Sequence, residues 1–181
     1  MITFKNFQFA SAPGTPVHWF CQAANFAGLG VGWHSDAYKP FVCEFDPFGH
    51  VKPALFRVSL VMHPASYLWT LYRYAFPKPS PLDKLGRFLD FDEFLCEYLG
   101  RMPGEASRIM LGYKADSFMR AEDLPHAFVE FARSLNVPEE SLRKNFFNRG
   151  PDYVQLDQSV GYWRKKLLKS EREFCEQFDY F

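Results

Sequence analysis

FRVSLVMHPASYLWTLYRYAF, residues 56–76, is the stretch whose reading decides the fold. Phe56 to Met62 is short, apolar and β-branched, interrupted only by Arg57 and Ser59, the pattern of a buried or half-buried strand. Pro64 removes a backbone donor and biases His63 away from the helical region. Beyond it Leu68, Leu71, Tyr72 and Ala75 recur at helical spacing, with Thr70 on the other side. A strand that turns through His-Pro directly into a helix leaves first-turn N–H groups without intrahelical acceptors. Phosphate binds at such helix starts in many nucleotide proteins, although an ordinary βα unit without a ligand carries the same pattern.

Upstream, Ile2 to Ala10 alternates loosely, with Phe7 and Phe9 on one face, and is expected to form one strand. Ser11 to Val17, SAPGTPV, has turn composition. His18 to Ala27 follows as a helix with Trp19, Phe20, Ala23, Ala24 and Ala27 on its apolar stripe, ended by Gly28 and Gly30. The chain thus opens as strand, loop and helix. It lacks the GxxxxGK[ST] signature and has no Lys in the loop, which argues against an ordinary ATPase or GTPase. Val31 to Pro40 carries His34 and Asp36, two metal-ligand types with no third beside them, and reads as a solvated loop. Phe41 to Phe45 is a short strand closed by DPFG.

Downstream, Pro77 to Pro81 reads as a rigid surface loop. Phe91, Phe94, Leu95, Tyr98 and Leu99 make one face of a helix that Gly100 is expected to end. Ser117 to Arg120 resembles a strand. Glu122-Asp123-Leu124-Pro125 is expected to open a helix with buried Phe128, Phe131, Ala132 and Leu135. Pro138 starts a shorter helix. Val160 to Phe178 reads as one helix, with Trp163, Leu167, Phe174 and Phe178 inward and its charges on a solvated face.

With 181 residues, 48% of them apolar and 21 of them Phe, the chain has the material for one packed domain, 1–181, and not for disorder. The formal net charge is zero, so bulk charge points to neither a nucleic-acid nor a membrane partner. Cys21, Cys43, Cys96 and Cys175 form no CxxC or metal spacing, and three lie in apolar stretches. They read as reduced, buried thiols of a cytoplasmic protein that holds no metal. The N-terminal MITFKNFQF has no signal-peptide order, and no apolar run approaches about 18 residues. No GxSxG or Cys/His motif supports a peptidase or esterase. Alternating strands and helices favour an α/β fold of three layers around a central, mainly parallel sheet, with Phe7–Ala10 and Val58–Met62 as neighbours.

Three motifs, in order, give the chain a family resemblance. Ala12-Pro13-Gly14-Thr15-Pro16-Val17-His18-Trp19 is similar to the 5'-phosphosulfate loop of sulfotransferases that use 3'-phosphoadenosine 5'-phosphosulfate (PAPS). Val61-Met62-His63-Pro64, with Thr70 and Tyr72, resembles that family's second cofactor motif. Phe118-Met119-Arg120-Ala121-Glu122-Asp123-Leu124-Pro125 resembles its strand ending in Arg-x-Glu-Asp-Leu. The resemblance implies a P-loop-like fold and a cofactor site at Pro13, Gly14, Thr15, His18, Trp19, His63 and Thr70. Glu44 and His50 would be the nearest catalytic bases.

The departures are specific. Gly14 and Met62 stand where the family has cations, Pro16 where it has a glycine N–H, and His18 where it has a hydroxyl. Sulfuryl transfer rests on positioning and charge stabilisation, so two lost cations cost several kcal/mol of transition-state stabilisation. The resemblance therefore implies a sulfotransferase-like protein with degenerate loops, a binding or structural protein with little or no catalysis. It would hold PAPS or its desulfated product PAP weakly, with a nucleotide or other small molecule as ligand and a protein partner left open. The alternative is a working small sulfotransferase that draws charge from Arg57, Arg73 or Lys78 and transfers a sulfuryl group to a hydroxyl or amine acceptor. Cations returned at positions 14 and 62 would be expected to restore some nucleotide binding.

Overall fold

The computed structural model describes residues 2–4, 6–29, 55–73, 90–143, 145–151 and 161–181. The chain divides into two compact units, Met1–Val61 with Gly112–Asp152, and Met62–Leu111 with Tyr153–Phe181.

The first unit holds the sheet. Its strands are β1 (Ile2–Thr3), β2 (Phe7–Phe9), β3 (Phe56–Val61) and β4 (Ser117–Arg120), in that spatial order. β2, β3 and β4 run parallel, with Phe9 opposite Val58 and Leu60 opposite Met119. The expected pairing of the first strand with the strand of the 56–76 stretch is therefore present. The expected single strand from Ile2 to Ala10 is instead a hairpin. The chain reverses around Asn6, Phe4 N–H bonds Phe7 O at 2.9 Å, and β1 pairs antiparallel with β2. Asn is a turn former, and loose alternation across it does not reveal the reversal.

β2 is buried at all three positions and β3 from Val58 to Val61, as befits parallel strands covered on both faces. Phe7, Phe9, Val58, Leu60 and Met119 join a core with Trp19 and Phe20 of α1 (Val17–Phe26). The stripe that predicted α1 faces that core, where Phe20 stacks on Phe9 with ring centroids 4.0 Å apart.

After β4, Ala121–Asp123 forms one 3₁₀ turn, and the next helix, α5 (His126–Ser134), begins only at His126. The acids at 122 and 123 thus precede the helix rather than open it. Leu124 is extended (ψ 141°), as the residue before a proline prefers, and the Leu124–Pro125 peptide is cis. On α5 Phe128 and Ala132 are fully buried, while Phe131, and Leu135 just beyond the helix, are only half-buried. Glu139–Leu142 forms the short α6 that Pro138 predicts. The first unit is an α/β arrangement: a small sheet with three parallel strands, β2 to β4, and the antiparallel β1 at its edge, flanked by helices.

The second unit is helical: α2 (Pro64–Arg73), α3 (Phe91–Arg101), α4 (Glu105–Leu111), α7 (Gly161–Ser170) and α8 (Arg172–Gln177). Asp90 caps α3 by accepting Glu93 N–H at 2.8 Å. α3 does not stop at Gly100. A Cβ there would meet open space, and the helix ends one residue later, where Met102 precedes Pro103.

The expected single C-terminal helix is two, broken at Glu171 (φ −108°, ψ 25°), which is 2% exposed. That carboxylate accepts Tyr98 Oη–H, the N–H groups of Gly104 and Ser107 at 3.1 Å each, and the Ser107 hydroxyl. It caps α4 from a distant part of the chain. Glu171 is therefore not part of a solvated face. Cys21 and Cys175 are buried as expected, whereas Cys96 is exposed.

The expected strand Phe41–Phe45, the loops at Val31–Pro40 and Pro77–Pro81, and Cys43, Glu44, His50 and Lys78 lie outside the described residues.

Candidate functional site

The loop between β2 and α1 carries Pro13, Gly14 and Thr15, and its polar groups close on themselves. Ser11 Oγ accepts Leu60 N–H at 3.2 Å, lies 2.8 Å from Thr15 Oγ1, and lies 3.1 Å from Leu60 O. Thr15 Oγ1 donates to Ala12 O at 2.7 Å. Each hydroxyl has one proton, so the shortest contacts make a relay: Leu60 N–H to Ser11, Ser11 to Thr15, Thr15 to Ala12 O. Both side chains are buried. Ser11 lies in the turn recognised from sequence, but its anchoring role needs Leu60, 49 residues away.

Gly14 sits at φ +91°, the left-handed region. A side chain there costs about 1–2 kcal/mol, so this backbone selects glycine where the resembled loop has a cation. Pro16 stands at the cap of α1 without a side-chain cap bond, and Val17 N–H turns back to Thr15 O at 2.7 Å. The loop's two hydroxyls and the Thr15 and Val17 amides are thus bonded within the fold, and the first-turn amides of His18 and Trp19 are the helix's intrinsic orphans.

His18 is exposed, and its Nε2 accepts from the Gln22 amide at 2.8 Å, one turn along the helix. Trp19 belongs to the core. It stacks on Phe146 at 5.4 Å, meets Phe128 edge-on at 5.9 Å, and donates Nε1–H to Arg149 O at 3.1 Å.

His63 and Thr70 belong to the other unit. His63 Nδ1 accepts Ala65 N–H at 3.1 Å, so the imidazole itself caps α2 and occupies one of the amides that a phosphate would use. This bond makes Nδ1 the acceptor and assigns the neutral ring's proton to Nε2. Thr70 Oγ1 donates to Ser66 O at 2.9 Å, one turn back in the same helix. Met62, where the resembled family has an arginine, is fully buried. A guanidinium there would lose its hydration, a cost that only a paired counter-charge offsets.

Of the alternative cations, Arg57 is engaged by Asp116, which accepts its backbone N–H at 2.8 Å and its guanidinium at 3.2 and 3.3 Å. Those bonds hold the Asp116 carboxyl below its ordinary range. Arg73 is exposed in the last turn of α2. Among the described residues no group of three or more His, Cys, Asp or Glu could hold a metal ion, and no helix is long and apolar enough to cross a membrane.

Compared with known proteins, the chain matches no family model, no curated sequence and no solved structure.

Proposed function

We propose that this chain is a sulfotransferase-like α/β protein whose phosphosulfate loops have become structural, so that it acts as a binding or scaffold protein with little or no sulfuryl transfer. The observation that carries this reading is the Ser11–Thr15 relay, which spends the loop's two hydroxyls on Leu60 and Ala12 beside a glycine at φ +91°. A loop evolved to grip a phosphosulfate presents its hydroxyls and a cation outward, where charge develops. Here Thr15 and Thr70 both bond backbone carbonyls, and Ala65 N–H is taken by His63. Hydrogen bonds to charged groups are worth about 1.5–3 kcal/mol each, so losing two or three weakens nucleotide binding by about two to six orders of magnitude.

Calorimetry with 3'-phosphoadenosine 5'-phosphate tests the reading. The expected Kd is no tighter than about 100 µM, and Thr70→Ala leaves it unchanged. A low-micromolar Kd that Thr70→Ala weakens would overturn the proposal in favour of a working sulfotransferase with rebuilt charge.

A further inference from the structure

The solvent face of α7 combines cations with an exposed aromatic ring. The helix GYWRKKLLKS holds Arg164, Lys165, Lys166 and Lys169 and no acid. Tyr162, Lys165, Lys166 and Lys169 fall at i, i+3, i+4 and i+7, one stripe of a helix. The three lysines are exposed and Tyr162 is 72% exposed. Lys166 Nζ bonds Tyr162 Oη at 3.0 Å and lies 4.6 Å from its ring centroid, while Trp163 meets Tyr162 edge-on at 4.9 Å. In the helical unit Glu97 pairs with Arg101 and Glu176 with Arg172. None of the three lysines has a carboxylate partner among the described residues.

We propose that this face of α7 is a docking surface for single-stranded nucleic acid. Lysine ammonium groups bind phosphate as point charges and set no planar geometry on it, which suits a contact without sequence preference. The exposed ring of Tyr162 offers a stacking platform for a base, and cation-flanked aromatics are how sequence-tolerant single-strand binders work. A membrane surface fits less well. An interfacial helix buries its apolar face in lipid, but Leu167 of α7 is fully buried in the protein. The neutrality of the whole chain does not cancel this patch, because screening limits each field to about 8 Å at physiological ionic strength. From Tyr162 to Lys169 the stripe is about 10 Å long, room for about three phosphates.

Fluorescence anisotropy of the full chain with labelled oligo-dT and oligo-dA of about 12 nucleotides tests this. Both should bind with a Kd of about 1–100 µM, and log K should fall with log salt with a slope of about −2, the value for three phosphate contacts on a single strand. The triple variant K165Q/K166Q/K169Q should lose at least about tenfold, and Tyr162→Ala at least about fivefold. K165R/K166R/K169R should retain binding, which separates charge from folding. Absent binding, or binding that the glutamine variant keeps, would overturn the proposal. Equal or tighter binding of oligoglutamate or phosphatidylserine vesicles would overturn it in favour of an acidic peptide or a membrane.

Discussion

Tyr98 Oη donates to Glu171 Oε1 at 2.5 Å, and both side chains are buried. The phenol also accepts Ala106 N–H at 2.7 Å, so one tyrosine oxygen links the carboxylate to the first turn of α4. α4 has only seven residues and would be marginal alone. Its start is held by a carboxylate and a phenol from two other helical segments, which makes this cluster the polar anchor of the helical unit.

Removing either partner should therefore be costly. Tyr98→Phe leaves Ala106 N–H and one carboxylate lone pair unpaired, an expected loss of about 1–3 kcal/mol. Glu171→Gln turns an amide NH₂ toward groups that are all donors, and should cost about 2–4 kcal/mol. Urea unfolding of the variants checks this. A loss under about 0.5 kcal/mol for Tyr98→Phe would show that the anchor contributes nothing net.

The same cluster predicts how stability varies with pH. Burial, reinforced by the Glu171 charge, raises the Tyr98 phenol above its ordinary value of 10.0 and pushes the Cys175 thiol from 9.0 up to about 12. Raised values mean that the fold holds both groups neutral. Their contribution is complete below about pH 9 and is lost as the pH rises toward and past 12, because the unfolded chain ionises first. Each group steepens the decline by up to about 1.4 kcal/mol per pH unit. Unfolding measured at intervals above pH 8 should show this fall, and Cys175→Ala should make it shallower. An unchanged slope in that variant would rule out the Cys175 contribution.

Phe128 and Phe131 share α5 but not the same depth. Phe128 is fully buried against Trp19, Phe20 and Phe147, whereas half-buried Phe131 meets Phe7 edge-on at 5.0 Å. Phe128→Ala should cost about 3–5 kcal/mol and Phe131→Ala less, about 2 kcal/mol. Denaturant melts that reverse this order would contradict the register of α5.

Gly150 should tolerate no side chain. A Cβ there would lie 2.9 Å from Leu124 O, a backbone atom that cannot swing aside. Gly150→Ala should lower stability by about 1–3 kcal/mol. Gly100→Ala, which faces open space inside α3, should raise it by about 0.5–1 kcal/mol. Thermal melts of the two variants moving in the same direction would refute the contrast.

The sequence by itself determined the elements written in short-range periodicity. β3 and α2 follow from the apolar run, His63-Pro64 and the 3.6-residue stripe, and α1 from its alanine and aromatic face, because those signals lie within one or two turns of chain. The sequence's alternation of strands and helices also led to the expectation of β2 beside β3 in a parallel sheet. Only the tertiary structure decided how the polar residues are used. Thr15 is legible as a phosphate handle until Ser11 and Ala12 are found to hold it, and His63 until it caps its own helix. Glu171 reads as one charge among many, because its partners lie 64 to 73 residues away and exist only once α3, α4 and α8 are brought together. A side chain's pattern within its own helix fixes which way it faces. Which donors it meets there depends on segments whose approach no local pattern encodes.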